Sequence, residues 1–540
     1  MSDRTLYTVL DEAARSWGKA PALYQPAESK GAKNYRMYDW VEYREAAREI
    51  ACGLRSIGVQ KGDMVALDSE TRAEFYLADA GILANGSIAA ALYTSLPAAE
   101  LVGALNTIEP RAVFVENAAT LKALRNAGAL GSPMHWILLT GETDGALTLS
   151  GLRERGRRAM EEDPGLFDRI HSEVSPQDLA ILYMTSGATG EPKMGLVTHR
   201  SVVSNVDMGP SVLPIGPEDS TLAFLPSAHI AQRVVMEFLP IRCGVPVYFS
   251  EGLTKMPLEL RSVKPTFLLA PPRVWERVHA SISTEIKKRP AITRKLFYTA
   301  LGLGLRASHL RHEGQPIPGW MKRFLGLADK VVFAKIRERL GGRIRIALSG
   351  AAPLGRDLAQ FYEAIGMPLS EGYGLTEGGV LCLNPIGNPR AGSIGKLLPG
   401  VEMKLGEDGE LLMRSPTLFS AYFKDPAATA SVLKDGWLHT GDIAEVKEHG
   451  FIYITGRKKE VLVASNGKKI YPARIENLFK VEPIINQVVL LGDRQPYVTA
   501  LFTLNPSAAE SVDGMEGWKG KSPAELAAAP PVVQEVKQAV

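Results

Sequence analysis

Cysteine is scarce in this 540-residue chain, which contains three. Cys52, Cys243 and Cys382 lie far apart in the sequence, and none belongs to a C-x-x-C pair. This spacing argues against a disulfide framework and is typical of a protein in a reducing compartment. Because a free cysteine behaves as a small apolar residue, we expect all three side chains to be buried.

Long hydrophobic runs are also missing. The most apolar stretch, Leu77 to Leu96, is interrupted by Asp79, Asn85 and two glycines, so it predicts a buried helix followed by a buried strand rather than a membrane span. The N-terminus mixes charges into a helical pattern and lacks the order of basic, apolar and small residues that marks a signal peptide. We therefore expect a cytoplasmic protein without a transmembrane segment.

The chain has little net charge, +3 at pH 7, which argues against nucleic acid as a partner. One segment differs: from Lys287 to Arg345, fifteen Lys and Arg residues stand against three acidic residues, with apolar residues between them. A basic amphipathic surface of this kind would allow peripheral contact of residues 287–345 with an anionic membrane. The alternative is a solvated basic face on packed helices, which is what charge runs usually indicate.

Short apolar runs alternate with longer helical patterns through most of the chain. MVALDS near residue 64, PTFLLA near 265 and IRIALSG near 344 are examples, and they predict an α/β fold with parallel strands covered by helices on both faces. After about residue 395, short alternating stretches with glycine predict a small antiparallel sub-barrel or sheet. We place the domain boundary in the charged junction that follows, which gives a large N-terminal domain, residues 1–457, and a small C-terminal α/β domain, residues 458–540.

The sharpest local feature is a loop from Tyr183 to Lys193 that contains glycine and hydroxyl residues. Glycines let the backbone approach an anion, hydroxyls donate hydrogen bonds and the lysine adds a positive charge, so the loop can bind phosphate. It is not a G-x-x-x-x-G-K-[ST] loop, since Pro192 precedes the lysine and Met194 follows it. Taken alone, the segment predicts either a phosphate cradle or a flexible turn.

Together with five further motifs, this loop resembles the T-S-G-T-T-G-x-P-K-G loop of the adenylate-forming superfamily. That superfamily contains acyl-CoA synthetases, luciferases and the adenylation domains of peptide synthetases. The resemblance extends over essentially the whole chain. The further motifs, in the family's order, are Phe224-Leu-Pro-Ser-Ala-His229, Ser349-Gly-Ala-Ala-Pro353, Glu371-Gly-Tyr-Gly-Leu-Thr-Glu377, Gly436-Trp-Leu-His-Thr-Gly-Asp442, and Gly456-Arg457 leading to Tyr471-Pro-Ala-Arg-Ile-Glu476.

The resemblance implies roles for the residues of these motifs. Tyr373 would stack on adenine, Asp442 would bind both ribose hydroxyls, and Arg457 would contact the ribose. Lys193, Thr376 and Glu377 are the catalytic candidates, and Glu377 would hold Mg²⁺. The other candidates for ATP binding are Thr185, Ser186, Gly187, Ala188, Thr189, Gly190, Gly350, Ala351, Ala352, Glu371, Gly372 and Gly374. Without the resemblance, Asp442 could equally be a turn or cap residue, and Gly350 to Ala352 a plain turn between strand and helix.

The same resemblance implies an acyl side and a mobile C-terminal domain. His229 would lie at the mouth of the acyl tunnel, although a lone histidine is more often a structural residue. Gly467 would let the thiol arm approach, and Lys459 would be the hinge. The family's catalytic lysine of the C-terminal domain has no counterpart before Val540, so we expect a C-terminal domain truncated before that residue.

Two departures affect the phosphate loop. Ala188 stands where the family usually has threonine, and Met194 where it usually has glycine. We expect the loop to lose one hydroxyl and to gain bulk at its rim, and we expect ATP binding to survive both changes.

The segment KPTFLLAPPRVWE, from Lys264 to Glu276, is similar to the long-chain fatty acyl-CoA synthetase branch. The resemblance implies a ligase that adenylates a medium- or long-chain fatty acid with ATP and Mg²⁺ and transfers the acyl group to coenzyme A. Two alternatives stay open, a ligase that delivers the acyl group to a carrier protein and a non-catalytic protein that binds a nucleotide or an acyl-adenylate. An oligomer is compatible with the sequence.

Overall fold

The computed structural model contains an eight-stranded sheet, which is built mainly from the first half of the chain. The structure describes residues 3–27, 34–128, 135–185, 193–510, 512, 514–515, 518 and 520–539. The five inner strands from Leu179–Thr185 to His135–Leu138 are parallel and mostly buried, as runs without polar alternation predict. In order across the sheet, the strands are Ala421–Tyr422, Lys193–Thr198, Leu179–Thr185, Ile88–Ala91, Met64–Asp68, Ala112–Val115, His135–Leu138 and Leu147–Thr148.

Two further sheets complete the large α/β part of the molecule. One is four-stranded, in the order Thr221–Ala223, Val247–Phe249, Pro21–Ala27 and Asn34–Asp39. The other is five-stranded, in the order Phe267–Ala270, Ile346–Ser349, Leu369–Leu375, Gly379–Leu383 and Lys396–Leu397. Its first three strands are parallel, and the last two continue it as antiparallel strands.

Helices pack against these sheets and against each other at close distances. A Cβ atom at Gly156 would lie 1.8 Å from the carbonyl oxygen of Glu49, so this contact requires glycine. Asp39 and Glu42 form a capping box at the start of the helix Trp40–Ser56.

The α-helices are Leu6–Trp17, Trp40–Ser56, Ala73–Ala84, Ala98–Ile108, Ala118–Asn126, Leu149–Glu162, Leu166–Ser172, His199–Val212, Leu239–Cys243, Met256–Val263, Pro272–Lys287, Ala291–His312, Gly319–Ala328, Ala334–Arg337, Arg356–Ala364, Pro426–Val432, Pro472–Glu476, Pro506–Ala509, Pro523–Ala528 and Pro530–Ala539. Two segments, Gln232–Phe238 and Asp329–Phe333, are π-helical. The 3₁₀ turns include Glu338–Leu340, Lys458–Glu460 and Asn477–Val481.

The chain beyond residue 395 forms antiparallel sheets, as its glycine-punctuated pattern predicts. One sheet contains Glu402–Leu405, Glu410–Arg414, Trp437–Val446, Leu433–Lys434 and Ile452–Arg457. Two strand pairs follow, Leu462–Val463 with Lys469–Ile470 and Ile485–Leu491 with Thr499–Leu504. The last of these packs with the C-terminal helices around a separate small apolar cluster that includes Ile484, Leu526 and Val532. The fold class is therefore confirmed: a large α/β domain with an appended antiparallel sheet, and a small C-terminal domain.

Two smaller expectations, on the cysteines and on the stretch from Leu77 to Leu96, are also confirmed. All three cysteines are buried. The stretch from Leu77 to Leu96 forms the end of the buried helix Ala73–Ala84 and the buried strand Ile88–Ala91. Within the described residues, no helix combines the length and the apolar character that a membrane crossing requires.

Candidate active site

Three neighbouring strands bring Tyr373, Asp442 and Arg457 together. The Tyr373 hydroxyl donates to Oδ2 of Asp442 over 2.6 Å, and Nε of Arg457 lies 2.8 Å from Oδ1. Burial raises the pKa of Asp442, and the Arg457 charge and the Tyr373 hydrogen bond oppose that shift. The carboxylate is thus held at both oxygens, inside a strand beside a bulge and not in a free turn. This geometry fits a group that presents two acceptor oxygens to a sugar.

The turn after the strand Ile346–Ser349 lies against the strand that carries Tyr373. A Cβ atom at Gly350 would lie 3.3 Å from the carbonyl oxygen of Gly372, so the two backbones are close. Ala351 has a φ of 67°, an uncommon value for a residue with a side chain. The Glu371 carboxylate accepts from the Leu354 backbone N–H over 3.0 Å. Glu371 therefore holds this turn in place. The neighbouring Ala352 is exposed at its surface.

Thr376 and Glu377 lie in the tight connection between the strands Leu369–Leu375 and Gly379–Leu383. A Cβ atom at Gly374 would lie 2.3 Å from the Gly379 carbonyl oxygen, so this hairpin requires glycine there. The side-chain amide of Asn205 makes two hydrogen bonds with the backbone of Val380. Nδ2 of Asn205 donates to the Val380 carbonyl oxygen, and Oδ1 accepts from the Val380 N–H, each over 2.8 Å. The hairpin is therefore fixed to the helix His199–Val212.

Glu377 is held from the opposite side by the segment that precedes the helix Pro426–Val432. The Phe419 backbone N–H donates to the Glu377 carbonyl oxygen over 2.9 Å. The Tyr422 hydroxyl donates to Oε1 of the Glu377 carboxylate. Thr376 lies beside the strand Lys193–Thr198, since a Cβ atom at Gly195 would be 3.3 Å from Cγ2 of Thr376. The catalytic candidates Thr376 and Glu377 thus adjoin the strand that begins with Lys193.

The phosphate loop is described at its two ends. Thr185 and Lys193 pair across antiparallel strands, and the Thr185 hydroxyl donates to the Lys193 carbonyl oxygen over 3.1 Å. Nζ of Lys193 lies 4.9 Å from the centroid of the Tyr422 ring. Outside the described residues lie Ser186, Gly187, Ala188, Thr189 and Gly190.

Met194 corrects one expectation from the sequence. Its side chain is buried in an apolar cluster with Leu182 and Leu196, so it adds bulk to the core and not to the rim of the loop. The reason is strand alternation: Lys193 and Met194 are consecutive, and their side chains point to opposite faces of the sheet.

An apolar cavity lies next to this cluster of motifs. Gly350, Ala351 and Tyr373 line one part of it. The rest is lined mainly by aliphatic side chains of the helix His199–Val212 and of the segment from residue 229 to residue 239. A lining of this composition is typical of a site for a small apolar ligand.

His229 lines the same cavity. Its Nδ1 accepts from the Ala231 backbone N–H over 3.1 Å, and burial lowers its pKa. The ring is therefore neutral near pH 7. Gly209 also lines the cavity, and a Cβ atom there would lie 2.3 Å from Cδ1 of Leu239. Glycine at this position lets Leu239 pack against the helix.

The remaining two candidates lie in the C-terminal part of the chain. Gly467 has a φ of 80° in the turn between Leu462–Val463 and Lys469–Ile470. Lys459 is exposed in the 3₁₀ turn Lys458–Glu460. Neither is among the described residues that line the cavity.

The donor set fits nucleotide-bound Mg²⁺ better than a protein-held metal. Among the described residues, no group of three or more His, Cys, Asp or Glu side chains is arranged to hold a metal ion. Mg²⁺ usually binds through one or two carboxylates and the phosphates of a substrate. Glu377, beside Lys193 and the phosphate loop, meets that requirement.

Sequence reasoning missed Asn205 and Tyr422. Asn205 stands within an amphipathic helical pattern that gives no sign of its backbone contacts, and Tyr422 lies in a short strand outside the motifs used. The aliphatic wall was also missed, because its residues come from separate segments of ordinary apolar sequence. Only the LPSAH motif, which ends at His229, pointed toward it.

Comparison with known proteins places these residues in context. A family model described as AMP-binding enzyme matches residues 10–423, and one described as AMP-binding enzyme C-terminal domain matches residues 459–538. The chain is 34% identical over 514 residues to a long-chain-fatty-acid–CoA ligase of Mycobacterium bovis, covering 92% of this chain and 82% of that relative. It is 33% identical over 485 residues to fatty acyl-CoA synthetase A of Dictyostelium discoideum, covering 84% and 70%.

Solved structures share the fold at lower identity. The adenylation domain of a carboxylate reductase from Mycobacterium chelonae superposes with a TM-score of 0.74 at 21% identity, covering 99% of this chain and 83% of that one. An anthranilate CoA ligase in complex with anthranoyl-AMP gives a TM-score of 0.72 at 20% identity, covering 93% and 88%. Both similarities concern the fold.

Proposed function

Because the chain belongs to the AMP-binding enzyme family, we propose that it adenylates a medium- or long-chain fatty acid and transfers the acyl group to coenzyme A. The family's cofactors are ATP, Mg²⁺ and coenzyme A. The observation that carries the proposal is the aliphatic cavity that starts at Gly350, Ala351 and Tyr373. The names of the two curated relatives support the same substrate class.

The nucleotide half of the site would bind and orient ATP. Tyr373 offers a ring for adenine, and Asp442, held by Tyr373 and Arg457, offers two oxygens to the ribose hydroxyls. Lys193 and Thr376 would contact phosphate, and Glu377 would hold Mg²⁺, which neutralises phosphate charge when bound. The acid's own carboxylate attacks the α-phosphorus and expels pyrophosphate, so the side chains contribute positioning and charge stabilisation.

The acyl half would bind the hydrocarbon chain. Each buried methylene contributes roughly 0.8 kcal/mol, so affinity should rise with chain length until the cavity is filled. His229, neutral and at the cavity wall, would contact the acyl end near the reacting carboxylate without adding a charge to it.

Pyrophosphate release tests the proposal. The chain would be supplied with ATP, Mg²⁺ and saturated fatty acids of increasing length, with and without coenzyme A. We expect turnover that depends on the acid, on its length and on coenzyme A. Transfer to a phosphopantetheinylated carrier protein in place of coenzyme A would support the carrier-protein ligase instead, and ATP binding without pyrophosphate release would support the binding protein.

Asp442→Asn provides the matched site variant for that assay, because it keeps the shape of the side chain and removes its charge. We expect a higher KM for ATP by about tenfold, since hydrogen bonds to a charged group contribute roughly 1.5–3 kcal/mol. The KM for the fatty acid should stay unchanged.

We also propose that the segment 287–345 contacts an anionic membrane, where fatty acids collect. The helix Gly319–Ala328 supports this: Met321 and Ala328 are buried, whereas Trp320, Arg323 and Leu327 share the outer face. Trp320 and Leu327 are each 62% exposed. A face of tryptophan, leucine and arginine is typical of a helix that lies in a membrane interface.

The domain boundary and hinge stay part of the proposal. The last strand of the five-stranded antiparallel sheet ends at Arg457, and the turn Lys458–Glu460 leads into the region that the C-terminal family model matches. Lys459 would be the hinge about which residues 458–540 rotate and bring Gly467 to the thiol arm. Lys459→Pro should slow thioester formation more than pyrophosphate release, which single-turnover assays of the two half-reactions would separate.

A further inference from the structure

One tyrosine joins two candidate residues that come from distant parts of the chain. Tyr422 donates its hydroxyl hydrogen to Oε1 of Glu377, and its ring face lies 4.9 Å from Nζ of Lys193. The first contact joins Tyr422 to the hairpin connection that follows Leu369–Leu375, and the second joins it to the strand that closes the phosphate loop. Tyr422 therefore stands between the proposed magnesium ligand and the proposed phosphate lysine.

The backbone around Tyr422 fixes the ring in this place. Tyr422 pairs with Gly195 at the edge of the eight-stranded sheet, and the next residue, Phe423, donates its N–H to the Met194 carbonyl oxygen over 2.7 Å. The Tyr422 N–H itself donates to the Thr429 hydroxyl over 2.9 Å. The side chain is 6% exposed. Little reorganisation is then needed for the phenol to keep its contact with Glu377.

The hydroxyl and the ring make separable contributions. The ring packs edge to face against Phe419, with centroids 4.9 Å apart, and a phenylalanine would preserve that contact. The hydroxyl is needed only for the hydrogen bond to the carboxylate. A purely structural tyrosine would tolerate loss of the hydroxyl, whereas a tyrosine that orients a metal ligand would not.

We propose that Tyr422 is a positioning residue that orients the Glu377 carboxylate for nucleotide-bound Mg²⁺ and holds Lys193 beside the same phosphates. This inference rests on the proposed function, in which Glu377 binds the metal. A partner that hydrogen-bonds a ligating carboxylate sets the orientation of that ligand, and its loss typically weakens metal affinity 10–100-fold. The cation over the ring face adds an attraction that requires an aromatic side chain.

The test is calorimetric titration of ATP at a series of Mg²⁺ concentrations, with the full chain and three variants. Tyr422→Phe removes the hydroxyl, and Tyr422→Leu also removes the ring. Tyr43→Phe is the matched control, because it removes a buried hydroxyl that donates to the Tyr76 carbonyl oxygen and belongs to a different element, the helix Trp40–Ser56. Melting temperatures show whether each variant folds.

We expect Tyr422→Phe to raise the Mg²⁺ concentration for half-maximal ATP binding about tenfold, with metal-free ATP binding unchanged. Tyr422→Leu should also weaken metal-free ATP binding, because Lys193 loses the ring. Tyr43→Phe should bind as the wild type does. Equal Mg²⁺ dependence in the wild type and Tyr422→Phe would overturn the inference.

A double-mutant cycle with Glu377→Gln guards against indirect effects. If Tyr422 acts through Glu377, Tyr422→Phe has no further effect on Mg²⁺ dependence in the Glu377→Gln background. If Tyr422→Phe changed the Mg²⁺ dependence as much in the Glu377→Gln background as in the wild type, the inference would be overturned, even if the single variant Tyr422→Phe behaved as expected. A wild-type chain that binds ATP only with Mg²⁺ but never releases pyrophosphate would refute the proposed function and leave the role of Tyr422 in metal binding standing.

Discussion

Charge is arranged in two opposite ways in this molecule. Asp79, Arg233 and Glu237 are fully buried beside the cavity, with Arg233 Nη2 2.5 Å from Asp79 Oδ1 and Arg233 Nε 3.6 Å from Glu237 Oε2. The segment 287–345 instead places many basic side chains at the surface. Buried charges are screened little, so each depends on its partner, whereas exposed charges interact mainly with solvent. The same residue types therefore stabilise the fold in one place and face solvent in the other.

The buried cluster also shapes the cavity wall. Arg233 and Glu237 belong to the π-helical segment Gln232–Phe238, and the neighbouring Val234 and Val235 line the cavity. Burial and the nearby Asp79 charge raise the pKa of Glu237 well above its usual range. Burial also raises the pKa of Asp79, but the charge and the hydrogen bond of Arg233 oppose that shift. Because Asp79 lies closer to Arg233 than Glu237 does, we infer that Glu237 keeps its proton while Asp79 carries the charge that pairs with Arg233.

The largest effect is expected when the buried guanidinium is removed. Arg233→Met should lower the free energy of unfolding by about 3–5 kcal/mol, because it leaves a buried carboxylate without its cation. Urea unfolding measures this. Lys322→Met, an exposed change of the same kind, should alter stability by less than about 0.5 kcal/mol. Similar losses in the two variants would erase the contrast between the regions.

The two buried carboxyl groups should substitute for one another. Asp79→Asn and Glu237→Gln should each cost less than Arg233→Met, because the remaining carboxyl group can ionise and pair with Arg233. The double variant leaves the buried Arg233 guanidinium without a carboxylate, and its free energy of unfolding should fall by about 3–5 kcal/mol. Its loss should exceed the sum of the single losses, and simple additivity in urea unfolding would refute this mechanism.

A smaller effect should appear as a pH dependence. Since the folded-state pKa of Glu237 is raised, stability from the protonated group is complete below its unfolded value and is lost as pH rises through the folded value. Glu237→Gln cannot ionise. The stability of the wild type relative to Glu237→Gln should therefore fall as pH rises above the ordinary glutamate pKa, about 4.5. Parallel curves above that pH would show that Glu237 is already ionised in the folded state.

The smallest effect on stability, but a clear one on binding, is expected at the surface. Lys322→Glu with Arg323→Glu should reduce binding to vesicles of phosphatidylglycerol at least tenfold, since each basic residue contributes roughly 1 kcal/mol near an anionic bilayer. Co-sedimentation at two salt concentrations measures this. Reversal of the exposed Lys122 and Arg155 is the control. Binding that ignores both salt and the Lys322 and Arg323 reversal would exclude the membrane surface.

The sequence anticipates the fold and the polar half of the site better than the apolar half. Apolar runs predict the parallel strands. The ordered motifs identify Tyr373, Asp442 and Glu377 as candidates, because each motif is continuous in the chain. Asp79 is visible as an interruption of an apolar run, but its partner Arg233 lies 154 positions away. Spatial partners at that separation leave no local pattern, and the cavity wall is hidden for the same reason.

The contact between Gly209 and Leu239 gives the cavity an adjustable depth. The atoms nearest to a methyl group at residue 209 would be the flexible end of the Leu239 side chain, which also lines the cavity. Leu239 would then have to move, and the cavity that we propose for the acyl chain would change shape. If the cavity binds the acyl chain as we propose, we expect Gly209→Ala to favour shorter acids. Such a change would leave every residue at the nucleotide end untouched, so substrate range and catalytic machinery can diverge independently in evolution.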